Sequence, residues 1–153
     1  MKLYLLRHGH SPSCVEAAAA EDFDRPISET GRCAVRRMAG ELLNRGGRPR
    51  IILHSPLKRA EQTALEAASI LKPVSGVRDF DALSNAMNAE LLYAELQKEI
   101  ARACELLAVG HQPQLGELAA YLSGKIFELQ PGGIVALEIG DRAPAKSLWS
   151  LNP

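Results

Sequence analysis

Cysteine is scarce in this 153-residue chain: Cys14, Cys33 and Cys104 are odd in number, widely spaced and never form a CxxC pair. That pattern argues against both a disulfide framework and a structural zinc site, and a reducing cytoplasm is the expected home. Excess charge is lacking too. Eighteen Lys and Arg balance eighteen Asp and Glu, so no overall field draws the chain to nucleic acid or to anionic lipid, and any anion site must be local. A long hydrophobic run is also missing. The opening MKLYLLRHGHS is interrupted by Arg7, His8 and His10 well before a secretory or spanning segment would be complete, so we read neither a targeting signal nor a membrane partner. Repeats and low-complexity tracts are absent apart from Ala17 to Ala20.

With 46% hydrophobic and 24% charged residues the composition is that of a globular protein. The length fits one domain over residues 1–153. Apolar runs and helical spacings alternate along it. Leu3 to Leu6 reads as a buried strand, and Ser28 as the N-cap of a helix with Val35, Met38, Ala39, Leu42 and Leu43 on one face, ending near Gly46 and Gly47. Ile51 to Leu53 is a second strand. Ser55 and Pro56 read as cap and first turn of a helix with Leu57, Ala60, Ala64, Ala67, Ala68 and Leu71 inward, stopped by Pro73. Residues 74–80 suggest a weaker strand, 80–90 a loop, and Leu92, Leu96, Ile100 and Ala103 a third helix. Leu106 to Val109 is another buried strand, followed by a helix from Pro113 with Leu115, Leu118, Ala119 and Leu122 on one face before Gly124. Ile134 to Ile139 and Ser147 to Leu151 close the chain as strands. The order predicts an α/β fold, a three-layer α/β/α sandwich around a largely parallel sheet.

Arg7 and His8 follow the first strand, Arg59 lies in the first turn after the second, and His111 comes just after the fourth. Ligands of open parallel sheets bind beyond the carboxyl ends of the strands, so these groups should converge at one edge. A guanidinium offers a permanent charge and a planar fork of donors that suits the oxygens of a phosphoryl group. A neutral imidazole, with an ordinary pKa of about 6.5, is a competent nucleophile near neutrality. A second imidazole, protonated beside a bound dianion, adds a donor. Helix N-termini near Ser55 and Pro113 would add partial positive charge. The set is expected to hold a tetrahedral anion and to transfer a phosphoryl group through His8 with no metal or cofactor.

The segments LLRHG, RPISETG, HSPLKRAEQTA and VGHQP resemble, in order, the motifs of the histidine phosphatase, or phosphoglycerate mutase-like, superfamily. The short length and the GGIVALEI tail look most like the phosphohistidine phosphatases of the SixA type. The resemblance implies the phosphoglycerate mutase-like fold, His8 as phosphoryl acceptor, and a phosphate pocket completed by Arg7, Arg59 and His111. It implies as partner a phosphorylated protein bearing phosphohistidine, or a small phosphorylated substrate. Two stretches depart from the pattern. His10 and Ser11 follow RHG where an acidic residue and alanine are common, and DALSNAMN replaces an ELTP-like segment, leaving Asp81 as the best-matching proton donor with Asp79 behind it.

Alternatives remain on the residues themselves. His8 and His10 could share a strand face as metal ligands, although no HExxH or aspartate cluster completes a site. His54 and Ser55 are expected to be structural, and Gln62 and Thr63 to serve packing. The cysteines are read as small core residues or surface thiols. Functionally, a small-molecule phosphomonoesterase and a catalytically inactive phosphate-binding module are the rivals to a phosphohistidine phosphatase. A mutase is disfavoured because the segments between motifs leave little chain for a lid.

Overall fold

A parallel strand covered on both faces needs apolar side chains at every position, and the runs at Leu3–Leu6, Ile52–Leu53 and Leu106–Val109 meet that need. In the computed structural model, which describes residues 1–153, they lie in β1 (Lys2–Arg7), β2 (Ile51–His54) and β4 (Glu105–Gly110). The remaining elements are α1 (Glu29–Asn44), α2 (Lys58–Leu71), β3 (Val77–Asp79), α3 (Ala89–Ala103), α4 (Gln114–Ser123), β5 (Ile134–Glu138) and β6 (Lys146–Leu151). Single 3-10 turns sit at Asp22–Asp24 and Asp81–Leu83.

The six strands form one sheet in the order β3-β2-β4-β1-β5-β6. The first four are mutually parallel, while β5 runs antiparallel to β1 and β6 antiparallel to β5. Alternation along each strand assigns its side chains to opposite layers. Leu3, Leu5, Leu53, Leu106, Ala108, Val135 and Leu137 pack with α3 and α4. Tyr4, Leu6, Ile52, Leu107, Val109, Ile134 and Ala136 pack with α1 and α2. Each fully buried leucine contributes roughly 1.5–3 kcal/mol of transfer free energy, so the two apolar layers hold the sandwich from both sides. No helix is long and apolar enough to cross a membrane.

Local chemistry explains the element ends. Ser28 caps α1 by accepting the Gly31 N–H, as its position foretells. Asn88 does the same for α3 through the Leu91 N–H, so the stretch expected to be loop carries both a 3-10 turn and a helix cap. The third strand is shorter than residues 74–80. Ser55 does not cap α2: that helix starts at Lys58, with Leu57 at its N-cap and no side-chain cap bond. None of the three cysteines is buried; Cys33 and Cys104 are exposed and Cys14 is intermediate.

Because β4 lies between β1 and β2, the carboxyl ends of three central strands are neighbours: Arg7 pairs with Gly110, and His54 with Val109. Those ends carry the residues that the sequence singled out.

Candidate active site

His8 is fixed first through its backbone. Its N–H donates to the Gly110 carbonyl at 3.0 Å, and its carbonyl accepts from Gly132 N–H at 2.9 Å. Gly132 has φ +82, a conformation that a side chain would strain. On the imidazole, Nδ1 lies 2.8 Å from the Gly9 carbonyl. A carbonyl only accepts, so Nδ1 carries the proton and Nε2 keeps its lone pair. Burial, reinforced by the charges of Arg59, Arg7 and Arg25 against the effect of the Gly9 carbonyl, lowers the His8 pKa to about 4. His8 is thus neutral at pH 7 and bears its free electron pair on Nε2.

The Gly9 peptide is held from the other side by Thr63, whose Oγ1 accepts the Gly9 N–H at 2.9 Å and donates to the Arg59 carbonyl at 2.7 Å. One hydroxyl therefore ties the His8 loop to the turn that carries Arg59. The start of α1 closes against the same loop. Ser28 N–H donates to the His10 carbonyl at 2.8 Å, and a Cβ on Gly31 would lie 2.7 Å from that oxygen, so the glycine of RPISETG permits the approach.

Arg7 leaves β1 beside His8. Its NH1 donates to the Leu129 carbonyl at 2.8 Å, while Nε is buried without a hydrogen-bond partner. A buried orphan donor on a cation is a ready contact for an anion oxygen. Arg59, with side-chain exposure of only 10%, donates through NH1 to the Asp22 carbonyl at 2.8 Å and through NH2 to the Asp22 carboxylate at 3.0 Å. The Asp22 carboxylate also meets Arg25 NH1 at 2.8 Å, and Arg25 in turn holds the carbonyls of Pro12 and Ser11.

The His111 ring lies 5.2 Å from that of His8, centroid to centroid, and is tilted 54° to it. His111 Nε2 is 2.8 Å from Ser55 Oγ, which also accepts the Leu57 N–H at 3.3 Å. Donating the Ser55 hydroxyl to Nε2 satisfies every partner and puts the His111 proton on Nδ1. Burial, the neighbouring His8, Arg59 and Arg7 drive the His111 pKa down to about 3 against the opposing charge of Asp22. His111 is accordingly neutral at pH 7, and the donor it offers is an uncharged N–H.

Arg7, His8, Arg59 and His111 thus stand at one sheet edge, as their positions after β1, β2 and β4 imply. The carboxylates of Asp81 and Asp79 make no hydrogen bond or ion pair with any of the four. Asp79 ends β3 and Asp81 opens the 3-10 turn, both are exposed, and neither carboxylate takes part in a hydrogen bond or ion pair. The turn then approaches the site frame: a Cβ on Gly110 would lie 3.5 Å from the Leu83 carbonyl oxygen. His10 Nδ1 pairs with Ser28 Oγ, and buried His54 donates its Nδ1–H to the Ser55 carbonyl. Gln62 accepts the Ile27 N–H through Oε1.

Ser55 and Thr63, read from sequence as a cap and a packing residue, instead orient His111 and the His8 loop. Asp22 and Gln114 were not singled out, and Arg25 entered only as the first residue of RPISETG. Gln114, 1% exposed, donates to the carbonyls of Ala82 and Met87 and accepts the Asn85 N–H, fastening the 81–88 loop to α4. Both Thr63 and Gln114 had a signal, since each is a polar residue at the spacing of a buried helical face, beside Ala60 and Ala67 or before Leu118 and Leu122. The N-terminus of α4 gives the site less than expected. In α4 the Gln114 and Gly116 N–H groups are taken by Asn85 Oδ1 and Gln112 Oε1.

A neutral imidazole with a directed lone pair, two guanidiniums and a second imidazole are gathered at one end of the sheet, a set whose chemistry suits a phosphoryl group. The comparisons with known proteins place it more closely. The family model of the histidine phosphatase superfamily (branch 1) matches residues 3–105, and the chain belongs to that superfamily of phosphatases. It is 37% identical over 145 residues to an uncharacterized protein of Picosynechococcus sp., covering 92% of this chain and 86% of that one. It is 30% identical over 123 residues to the phosphohistidine phosphatase SixA of Escherichia coli, covering 80% and 74%. The structure of the protein histidine phosphatase SixA complexed with tungstate superposes with a TM-score of 0.88 at 26% identity, covering 99% of this chain and 96% of the other. A mycobacterial glucosyl-3-phosphoglycerate phosphatase shares the fold at a TM-score of 0.66, 20% identity and 90% coverage of each chain. The phosphoglycerate mutase-like sandwich read from the sequence is the fold observed.

Proposed function

We propose that the protein is a metal-independent phosphatase that hydrolyses a phosphoryl group through a covalent intermediate on His8, acting on phosphohistidine carried by a protein. The observation that carries this reading is the His8–Gly9 hydrogen bond, which leaves Nε2 unprotonated beside Arg7 and Arg59. Nε2 attacks phosphorus in line, and a P–N bond forms as the bond to the leaving group breaks. The departing ring nitrogen takes that electron pair, and a proton taken from solvent on the other ring nitrogen lets the imidazole leave neutral. Arg7, Arg59 and His111 spread the charge of the equatorial oxygens. Water then attacks phosphorus, the P–Nε2 bond breaks, and neutral His8 and inorganic phosphate are restored. The arginines supply the charge that a metal supplies elsewhere.

A phosphohistidine leaving group is an imidazole that is readily protonated, so it makes small demands on a general acid. That suits a site where Asp81, the proton donor put forward by resemblance, is an exposed carboxylate. The similarity to SixA along most of both chains supports the same substrate class. A small-molecule phosphatase is the second reading, supported by the mycobacterial enzyme of the same fold.

The test is turnover with a chelator present, on phosphohistidine proteins and on sugar phosphates, for the parent and His8→Ala. The parent is expected to turn over phosphohistidine, to be indifferent to the chelator, and to carry phosphate on His8 after brief exposure to substrate and acid-free mass spectrometry. His8→Ala should keep the fold and lose nearly all turnover. Label on Ser11, Ser55 or a cysteine, or substantial activity in His8→Ala, overturns the mechanism.

A further inference from the structure

Arg59 is the most deeply buried of the site's cations, and its terminal nitrogens are already answered by one residue. The Asp22 carbonyl lies 2.8 Å from NH1 and the Asp22 carboxylate 3.0 Å from NH2. Two oxygens on the two arms of the guanidinium fork are the arrangement in which a phosphoryl group is held bidentately. Asp22 belongs to neither a long helix nor a strand. It opens the 3-10 turn Asp22–Asp24, its side chain is 60% exposed, and Arg25 holds its second carboxylate oxygen.

We propose that Asp22 is a specificity-determining residue of the phosphate pocket: it competes with the phosphoryl group for the Arg59 fork and disfavours substrates that carry further negative charge beside that group. This rests on the reading of Arg7, His8, Arg59 and His111 as a phosphoryl site. A phosphoryl oxygen on any remaining Arg59 N–H stands within about 6 Å of the Asp22 carboxylate, since both ligands bond the same guanidinium at hydrogen-bond distance. Their repulsion is present whether Asp22 shares the fork or is pushed off it. The favoured substrate then bears its phosphoryl group on a neutral or cationic carrier, such as a histidine side chain. The disfavoured class is the phosphorylated carboxylic acids and bisphosphates, whose second anionic group faces the carboxylate.

A purely structural ion pair makes the opposite prediction. If Asp22 only holds Arg59 in place, neutralising it loosens the guanidinium and weakens every anion. Asp22→Asn keeps the shape and the acceptor oxygen while removing the charge, and Asp22→Ser gives a second variant with a different risk of misfolding.

Inorganic phosphate is titrated calorimetrically into the parent and both variants at constant ionic strength. Turnover of 3-phosphoglycerate and of a phosphohistidine peptide is measured alongside. For a partly screened charge at this distance, phosphate should bind roughly three- to tenfold more tightly to Asp22→Asn. The kcat/KM ratio of 3-phosphoglycerate to phosphohistidine peptide should rise by a similar factor. Unchanged or weaker phosphate binding, or an unchanged ratio, overturns the assignment. Should the parent fail to turn over the phosphohistidine peptide, the substrate reading fails by itself, and the phosphate titration still decides the role of Asp22.

Discussion

In the unfolded chain His8 and His111 take up protons at the ordinary histidine value of about 6.5, whereas in the folded pocket their pKa values are about 4 and about 3. Below pH 6.5 the unfolded state therefore binds protons that the folded state refuses, and stability falls as pH falls. Between pH 7 and pH 5 each histidine withdraws about 2 kcal/mol by this linkage. The figure hardly depends on the folded values, because both lie below the window, and for the same reason the mutual repulsion of the two rings does not enter. Together they should withdraw about 4 kcal/mol, a large part of the stability of an ordinary domain. The assay is urea unfolding at the two pH values for the parent, His8→Asn and His111→Asn. Carboxylates held low by partners, such as Glu66 between Arg36 and Arg32, act mainly at lower pH and equally in all three proteins. Each variant should lose about 2 kcal/mol less than the parent over this window. Variants that lose as much as the parent would show that neither histidine is held neutral by the pocket.

Two further outcomes separate positioning from chemistry. Thr63→Val, nearly isosteric at a fully buried position, strands the Gly9 N–H and should cost about 1–3 kcal/mol of stability together with a fall in kcat; Thr63→Ser should restore both, and an undiminished kcat in Thr63→Val would sever the link from Thr63 to His8. Asp81→Asn should slow an alkyl phosphate, whose alkoxide needs a proton, by roughly tenfold or more while leaving an aryl phosphate unchanged, and equal rates on both would remove Asp81 as the acid.

The sequence was most readable where burial is two-sided. β1, β2 and β4 are short apolar runs with no polar alternative, and the groups that follow them had to meet because parallel strands present their ends to one edge. β3 was harder to bound, since Arg78 and Asp79 on that edge strand are exposed and the hydrophobic pattern marks only one of its residues. The partners of the site were hidden for a different reason. Ser55 and Thr63 have ordinary local duties available, capping and packing, and only the tertiary approach of His111 and Gly9 redirects them. Asp22 gives no periodic signal at all, because its role depends on a turn brought back over α2 after a long excursion from β1.

Arg7 and His8, His54 and Ser55, and Gly110 and His111 leave three adjacent strands of one hydrogen-bonded ladder. Such a frame has no hinge within it. Descendants of this chain are free to acquire new substrates by rewriting the turn at Asp22, the 81–88 segment or the approach to β5, since exposed connections tolerate exchange. A change in the spacing of the strand ends would instead dismantle the proposed nucleophile and the proposed anion clamp at once. Inherited chemistry and acquired selectivity are thereby stored in separate parts of the molecule, and a shuffled rim can alter what is recognised without altering what is done to it.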